Sequence, residues 1–378
     1  LFHSRLTDDH GVMTLADITS LRTKLFFWFI LSSFSVFFAE IVSGSSPMAF
    51  FDPFKPSYIW GWLVLLPLYG LHTLVLSSVI FSSGRPKFYA LFIAGAIFGL
   101  YEAYITKVLW HPGWGAGWFV GGVAVVEVFV IALFWHPFLA FIIPLAAGEA
   151  TLTDSTEIVD GMPAWMRRWL TSRNIAIVFL LFAAWAGMTH GGQAPFAIHT
   201  LLSSLISAGF LLGLVYIWKR RIAGRNYSMR ELLPTLRQSA FLLVPLIFIY
   251  LLFGFGAYPQ WVPGVWGQAP IWALYGLLFG LLYLAVRKSG TDTVPVFPLV
   301  RPRIGLKWMA AFFGVFTAVS VLWNLTGLGV WVLALSWFPG AFIGAYFIVW
   351  SAREALSKTV NINKRGEYPV PAQGAMGR

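Results

Sequence analysis

The chain has 378 residues, of which 58% are hydrophobic and only 11% charged, and it contains no cysteine. Soluble domains carry roughly a quarter of their residues as Asp, Glu, Lys and Arg, so this composition cannot build a soluble surface and reads as a membrane protein. The missing cysteines exclude disulfides, thiol nucleophiles and thiolate-held zinc or iron–sulfur clusters.

Runs of about 20 apolar residues, the length that crosses a bilayer, recur along the chain. The spans expected are Leu25–Val42, Tyr58–Phe81, Phe88–Trp110, Trp118–Leu145, Asn174–Met188, Phe196–Trp218, Ser239–Phe255, Ile271–Val286, Trp308–Trp323 and Val330–Trp350. The fourth is too long for a straight crossing and contains Pro137 and Pro144, which predicts a kink, a tilt or a re-entrant stretch. The first ends in Glu40 and is long for a cleaved signal peptide, so it is expected to stay as an anchor. The domain plan is a tail at 1–24, six spans within 25–218, a basic linker at 219–238, four spans within 239–350 and a basic tail at 351–378. Within the first tail, Leu1–Val12 reads as an extension ahead of Met13. The segment Trp165-Met166-Arg167-Arg168-Trp169-Leu170 has the pattern of an amphipathic helix lying on the membrane.

The net charge of +11 would admit nucleic acid as a partner were the charges not placed by topology. With the N-terminus inside, 24 of the 26 Lys and Arg fall in inner segments, Lys55 alone falls outside, and Lys107 lies within the third span. Short basic loops face the cytoplasm, so the expected fold class is an all-α polytopic helix bundle with both termini cytoplasmic. Its expected location is the plasma or inner cell membrane. The partners expected are the lipid bilayer and, through the apolar C-terminal helices, further subunits; nucleic acid is not expected. Trp110, Trp114, Trp118, Trp261 and Trp266 at outer ends, and Trp165, Trp169, Trp218, Trp308 and Trp350 at inner ones, read as interfacial belts. Asn324-Leu325-Thr326 is a formal glycosylation sequon close to the membrane.

Ionisable groups inside spans are costly and usually face a bundle interior or a water-filled cavity. Here they are Glu40, His72, Glu102, Lys107, Glu127, His136 and His199, all in the first six spans. Counting about 1.5 Å per residue gives a ladder. Lys107 sits at the outer interface, Glu40 and His199 just below it, then Glu102, Glu127 near mid-membrane, His72, and finally His136 toward the inner face. His111 and His190 flank the ladder in outer loops. Gly95, Gly99, Glu102 and Thr106 share one helical stripe, and small residues at that spacing allow close helix packing. His72 reads as a hydrogen-bonded bundle histidine and His136 as a residue capping the kink at Pro137.

The leading expectation is an outward-facing intramembrane site of Glu, Lys and His that moves protons, ions or a small solute. Glu102 and Glu127 would titrate, Lys107, Glu40 and His199 would tune them, and His72, His111 and His190 would contribute to binding. A metal site from Glu40, Glu102, Glu127 and His199 with His111 or His190 is a second reading, since such ligands suit zinc, iron, manganese or copper; no local ligand spacing supports it, and no cofactor is assigned. A membrane-embedded enzyme acting on a lipid or peptide, and a non-catalytic subunit, are the other classes. Glu102-Ala103-x-x-x-Lys107 resembles the Glu-Glu-x-x-x-Arg signature of the CAAX-type glutamic intramembrane proteases, and Phe196-Ala-Ile-His199 their Phe-x-x-x-His. Ala103 and Lys107 depart from that signature, the Phe–His spacing is one residue short, and the likeness covers under a tenth of the chain.

Overall fold

A computed structural model of the protein describes residues 20–56, 58–84, 86–113, 118–169, 172–222, 225–288, 304–329 and 331–357. The tail Leu1–Val12, most of the C-terminal tail, Trp114 and Leu170 lie outside the described residues.

Among the described residues ten helices are long and apolar enough to cross a membrane, the number the sequence predicts. In chain order the elements are α1 (Leu21–Ile41), α2 (Tyr58–Ser82), α3 (Phe88–Ile105), β1 (Phe119–Val120), β2 (Val123–Ala124) and α4 (Val125–Leu152). There follow the short α5 (Glu157–Gly161) and α6 (Ala164–Trp169), then α7 (Ser172–Gln193), α8 (Ala197–Arg221) and the short α9 (Met229–Leu232). The chain ends in α10 (Leu236–Gly256), α11 (Val265–Lys288), α12 (Leu306–Leu325) and α13 (Trp331–Leu356). The fold is all-α apart from the two-residue strands.

Several expected boundaries move, each for a local reason. The residues assigned to the start of the fourth span instead form a hairpin, in which Phe119 pairs with Ala124 and Val120 with Val123. Its two turn residues, Gly121 and Gly122, both have positive φ (58° and 80°), the requirement of a tight hairpin turn. The far end of α4 runs on to Leu152 through Pro144, which lies where the π-helical stretch Val128–Ile142 gives way to the α-helical stretch Ile143–Leu152. The third helix stops at Ile105 rather than Trp110, and Lys107 follows in a left-handed conformation with φ 65°.

The helices divide into a centre and a surround. Of the most apolar 18 residues in each span, 67–89% are buried in α1–α4, against 17–39% in the other six. Within the centre, α3 packs along α4 and α1 along α2; α10 lies on α2, α11 on α3, α13 on α3 and α4, and α12 against α7 and α8. The α3–α4 contact is set by glycine. A Cβ added at Gly95 would sit 2.5 Å from the Cα of Pro137, and one at Gly99 would sit 2.7 Å from the Cα of Ala132. The stripe read from the sequence is therefore a packing face.

The loops sort to two faces. Arg230 donates to the carbonyls of Phe81 and Gly84, the Trp218 indole donates to Leu152 O at 2.8 Å, and Ile304 N donates to Ala150 O. These contacts gather the segments carrying most of the Lys and Arg at one end, the basic face. At the opposite face the Asn324 amide, read as a sequon, donates to the carbonyls of Gly191 and Ala194.

Exposure divides the tryptophans of the expected belts. Trp118, Trp165, Trp261, Trp266 and Trp308 are exposed, but Trp110 and Trp218 are buried. Each of these two spends its indole N–H on a backbone carbonyl, Gly267 O and Leu152 O, which ties the turn after α3 to α11 and α8 to the end of α4.

Candidate functional site

The four central helices each contribute one polar side chain to a connected group at the middle of the bundle. Glu40 lies in a π-helical stretch of α1, Phe37–Ile41, and His136 in a longer one of α4, Val128–Ile142. Such stretches recur at functional positions because the extra residue per turn re-aims a side chain. Tyr69 comes from α2 and Glu102 from α3. The Tyr69 hydroxyl donates to Glu40 Oε1 at 2.5 Å and lies 3.5 Å from His136 Nε2. On its other side His136 Nε2 lies 3.6 Å from Glu102 Oε2. Tyr69 and His136 are almost fully buried, whereas the Glu102 side chain retains 15% exposure.

The tautomer of His136 follows from its other nitrogen. Nδ1 is 3.0 Å from Ile131 O, and a carbonyl only accepts, so Nδ1 carries the proton. In the neutral ring Nε2 is then an acceptor placed between a tyrosine hydroxyl and a carboxyl group. His72 and His190 follow the same rule, with Nδ1 on Leu68 O at 2.8 Å and on Ile41 O at 2.6 Å.

From Tyr69 a column of hydroxyls runs along α2 toward the basic face. Thr73 and Ser77 follow at four-residue spacing, and Ser35 of α1 joins them, accepting from Thr73 Oγ1 at 3.3 Å. All three are buried. Ser77 donates to Thr73 O and Ser35 to Ala140 O, so the column is satisfied by backbone carbonyls, the usual arrangement of Ser and Thr in apolar helices.

The structure redistributes the other predicted residues. Lys107 does not pair with Glu102; its ammonium donates to Ile105 O and Phe253 O, and burial pushes its pKa below the usual lysine range. Glu127 is buried in the first turn of α4, nine residues before His136 and so on the order of 10 Å nearer the opposite face. The hairpin explains the difference from the expected mid-membrane depth. His136, expected near the inner face, is level with Glu102. His72 stacks on Phe98 at 4.2 Å and meets Tyr101 edge-on; Phe98 also packs on Tyr69 and His136. His199 stacks on Phe54 of the loop after α1 at 6.1 Å. His190 places Nε2 2.6 Å from Ser203 Oγ, and His111 contacts Trp261 O. Among the described residues no three His, Asp or Glu side chains come close enough together to hold a metal ion.

Two features escaped the sequence. Tyr69, central to the group, carries no charge to flag it; its four-residue register with Thr73 and Ser77 is the available signal. At the basic face Glu149 is 2% exposed, and its carboxylate accepts from the N–H groups of Ile158 and Val159. Ending the fourth span at Leu145 had placed that glutamate in a loop.

Residues 29–360 match the model of a family described as "Uncharacterized membrane protein family". The chain belongs to that family. A relative in Archaeoglobus fulgidus, described as "Uncharacterized protein", is 34% identical over 264 residues, covering 68% of this chain and 77% of the relative. No solved structure matches the chain. All four members of the central polar group lie within the span that the family model covers.

Proposed function

We propose that the protein moves protons through the centre of its bundle, alone or coupled to a small solute. The observation that carries this reading is the sequence Glu40–Tyr69–His136–Glu102, one titratable group from each central helix, with contacts of 2.5, 3.5 and 3.6 Å. Intramembrane carboxylates and imidazoles in series are how proton relays are built. A proton entering at the partly exposed Glu102 passes to the lone pair of His136 Nε2. Tyr69 then accepts from that nitrogen while giving its own proton to Glu40. The two gaps at His136 exceed a direct hydrogen bond and close by sub-ångström movement or through one water. The column of Thr73, Ser77 and Ser35 offers polar surroundings from there toward the basic face.

We take the basic face as cytoplasmic, because positive charge in short loops is retained on that side. The exposed apolar rows of the surrounding helices, such as Phe241, Val244 and Phe248 on α10, then face lipid or a partner subunit.

The test is a proton-flux measurement on purified protein in liposomes carrying an internal pH dye, with a potassium diffusion potential as the driving force. Flux well above protein-free liposomes is expected, falling at least tenfold in Glu102→Gln. Absence of flux in the unaltered protein, or full flux in Glu102→Gln, would reject the relay.

A further inference from the structure

A cavity of about 830 Å³ opens between the central helices and the surround near the basic face. Its volume falls in the range of roughly 300–1,000 Å³ typical of small-molecule sites. The walls are apolar: Phe34 and Phe37 of α1, Phe138 and Ile142 of α4, Phe179 of α7 and Phe312 of α12. Polar groups gather at one end only, where Glu149, Thr153, Ser155, Thr156 and Asp160 line it. A space that is oily along its length and polar at one end fits an amphiphile.

The charges at that end define the headgroup. The described lining includes two carboxyl groups and several hydroxyls and no lysine or arginine. Glu149 is engaged by the N–H groups of Ile158 and Val159 and by the Ser155 hydroxyl. Asp160 takes the Thr156 hydroxyl at 3.0 Å and keeps further acceptor positions, since a carboxylate offers about four. Two described cations near that end have other partners: Arg230 bonds Phe81 O, Gly84 O and Glu157, and Lys219 donates to Ile304 O. The rim is formed by α6, whose Trp165 and Met166 line the cavity while Arg167 and Arg168 are exposed. An amphipathic helix of this kind rests at the headgroup level of a bilayer, which sets the polar end of the cavity at that depth.

We infer that this cavity binds a membrane amphiphile whose tail lies among the phenylalanines and whose small headgroup donates hydrogen bonds to Asp160 and carries no negative charge. Long-chain alcohols and amines share that chemistry; phosphorylated lipids do not. The site stands apart from the proton relay, so loss of one reading leaves the other in place.

The test uses the full chain in phosphatidylcholine nanodiscs and measures equilibrium binding of radiolabelled hexadecanol, hexadecylamine and hexadecyl phosphate. Saturable binding of the alcohol and amine is expected, with the phosphate at least tenfold weaker. Ala147→Trp, which fills the apolar part, should weaken the alcohol at least tenfold. Asp160→Lys, at a partly exposed position that does not challenge folding, should shift the preference toward the phosphate. Phosphate binding as tight as the alcohol, no saturable binding, or an Asp160→Lys protein with unchanged preference would each overturn the assignment.

Discussion

By mean hydropathy α4 and α10 are equal, yet 67% of the apolar window of α4 is buried against 17% of that of α10. The difference lies in what interrupts the apolar residues. In the centre, Gly70, Gly95 and Gly99 let backbones approach, and Glu40, Tyr69, Glu102 and His136 point at one another. In the surround, Gly209, Gly213, Gly276 and Gly280 have nothing within 4 Å of where a Cβ would be, and close approach is found at glycines that face a neighbouring helix, such as Gly187 and Gly191 of α7 and Gly340 and Gly344 of α13. Lipid tails are as apolar as leucine, so apolarity cannot sort inside from outside in a bilayer; small residues and hydrogen bonds do.

The largest contrast between the two regions is expected from glycine replacement. Gly99→Leu must displace Ala132 and His136, and overpacking of this kind costs about 1–3 kcal/mol, occasionally more. The same change at Gly276 should move thermal unfolding in detergent very little. Equal shifts at the two positions would erase the division into centre and surround.

Next in size is Tyr69→Phe, which removes the hydroxyl that joins Glu40 to His136 while keeping the ring against Phe98. Leaving a buried acceptor unmatched costs about 1–3 kcal/mol. Proton flux in the liposome assay should fall at least tenfold, well beyond what that stability loss explains. Trp218→Phe acts at the basic end, where it deletes the bond to Leu152 O and should cost roughly 1 kcal/mol with flux retained.

The smallest effect concerns pH. Burial lowers the Lys107 pKa from its ordinary 10.5, so between the two values the unfolded chain binds more protons than the folded one. Stability attributable to this group therefore rises with pH through that alkaline window, up to about 10.5. Lys107→Met should flatten the slope, measured by unfolding midpoints across pH 8–10.5; an unchanged slope would assign it elsewhere.

The number of spans was legible because membrane thickness imposes a run length that no local detail overrides. Helix ends were less legible. The span expected to close at Leu145 continues through Pro144 to Leu152, and Gly121-Gly122, placed within that span, turns a hairpin. In the site, Glu40 and Glu102 stood out because charge is rare at that depth. Their meeting through Tyr69 and His136 was hidden, since helix neighbours depend on tertiary packing and a tyrosine carries no charge to flag it. His136, read as a kink residue, is both beside the proline and in the group, because the π-helical stretch around Pro137 turns its ring toward Glu102.

The fixed tautomer of His136 has a consequence for direction. With Nδ1 tied to Ile131 O, the ring has a single open port: whatever proton arrives at Nε2 must depart from Nε2. The imidazole cannot pass charge straight through itself, nor flip without breaking its tether to the backbone. In the proposed relay it would work as a turnstile with one gate, admitting from one neighbour and discharging to the other only after the nearer contact has lengthened. In that relay Glu102 and Tyr69 would be alternatives in time at the same atom, and a small movement of α3 against α4, along the face set by Gly95 and Gly99, would change the gap between Glu102 and His136.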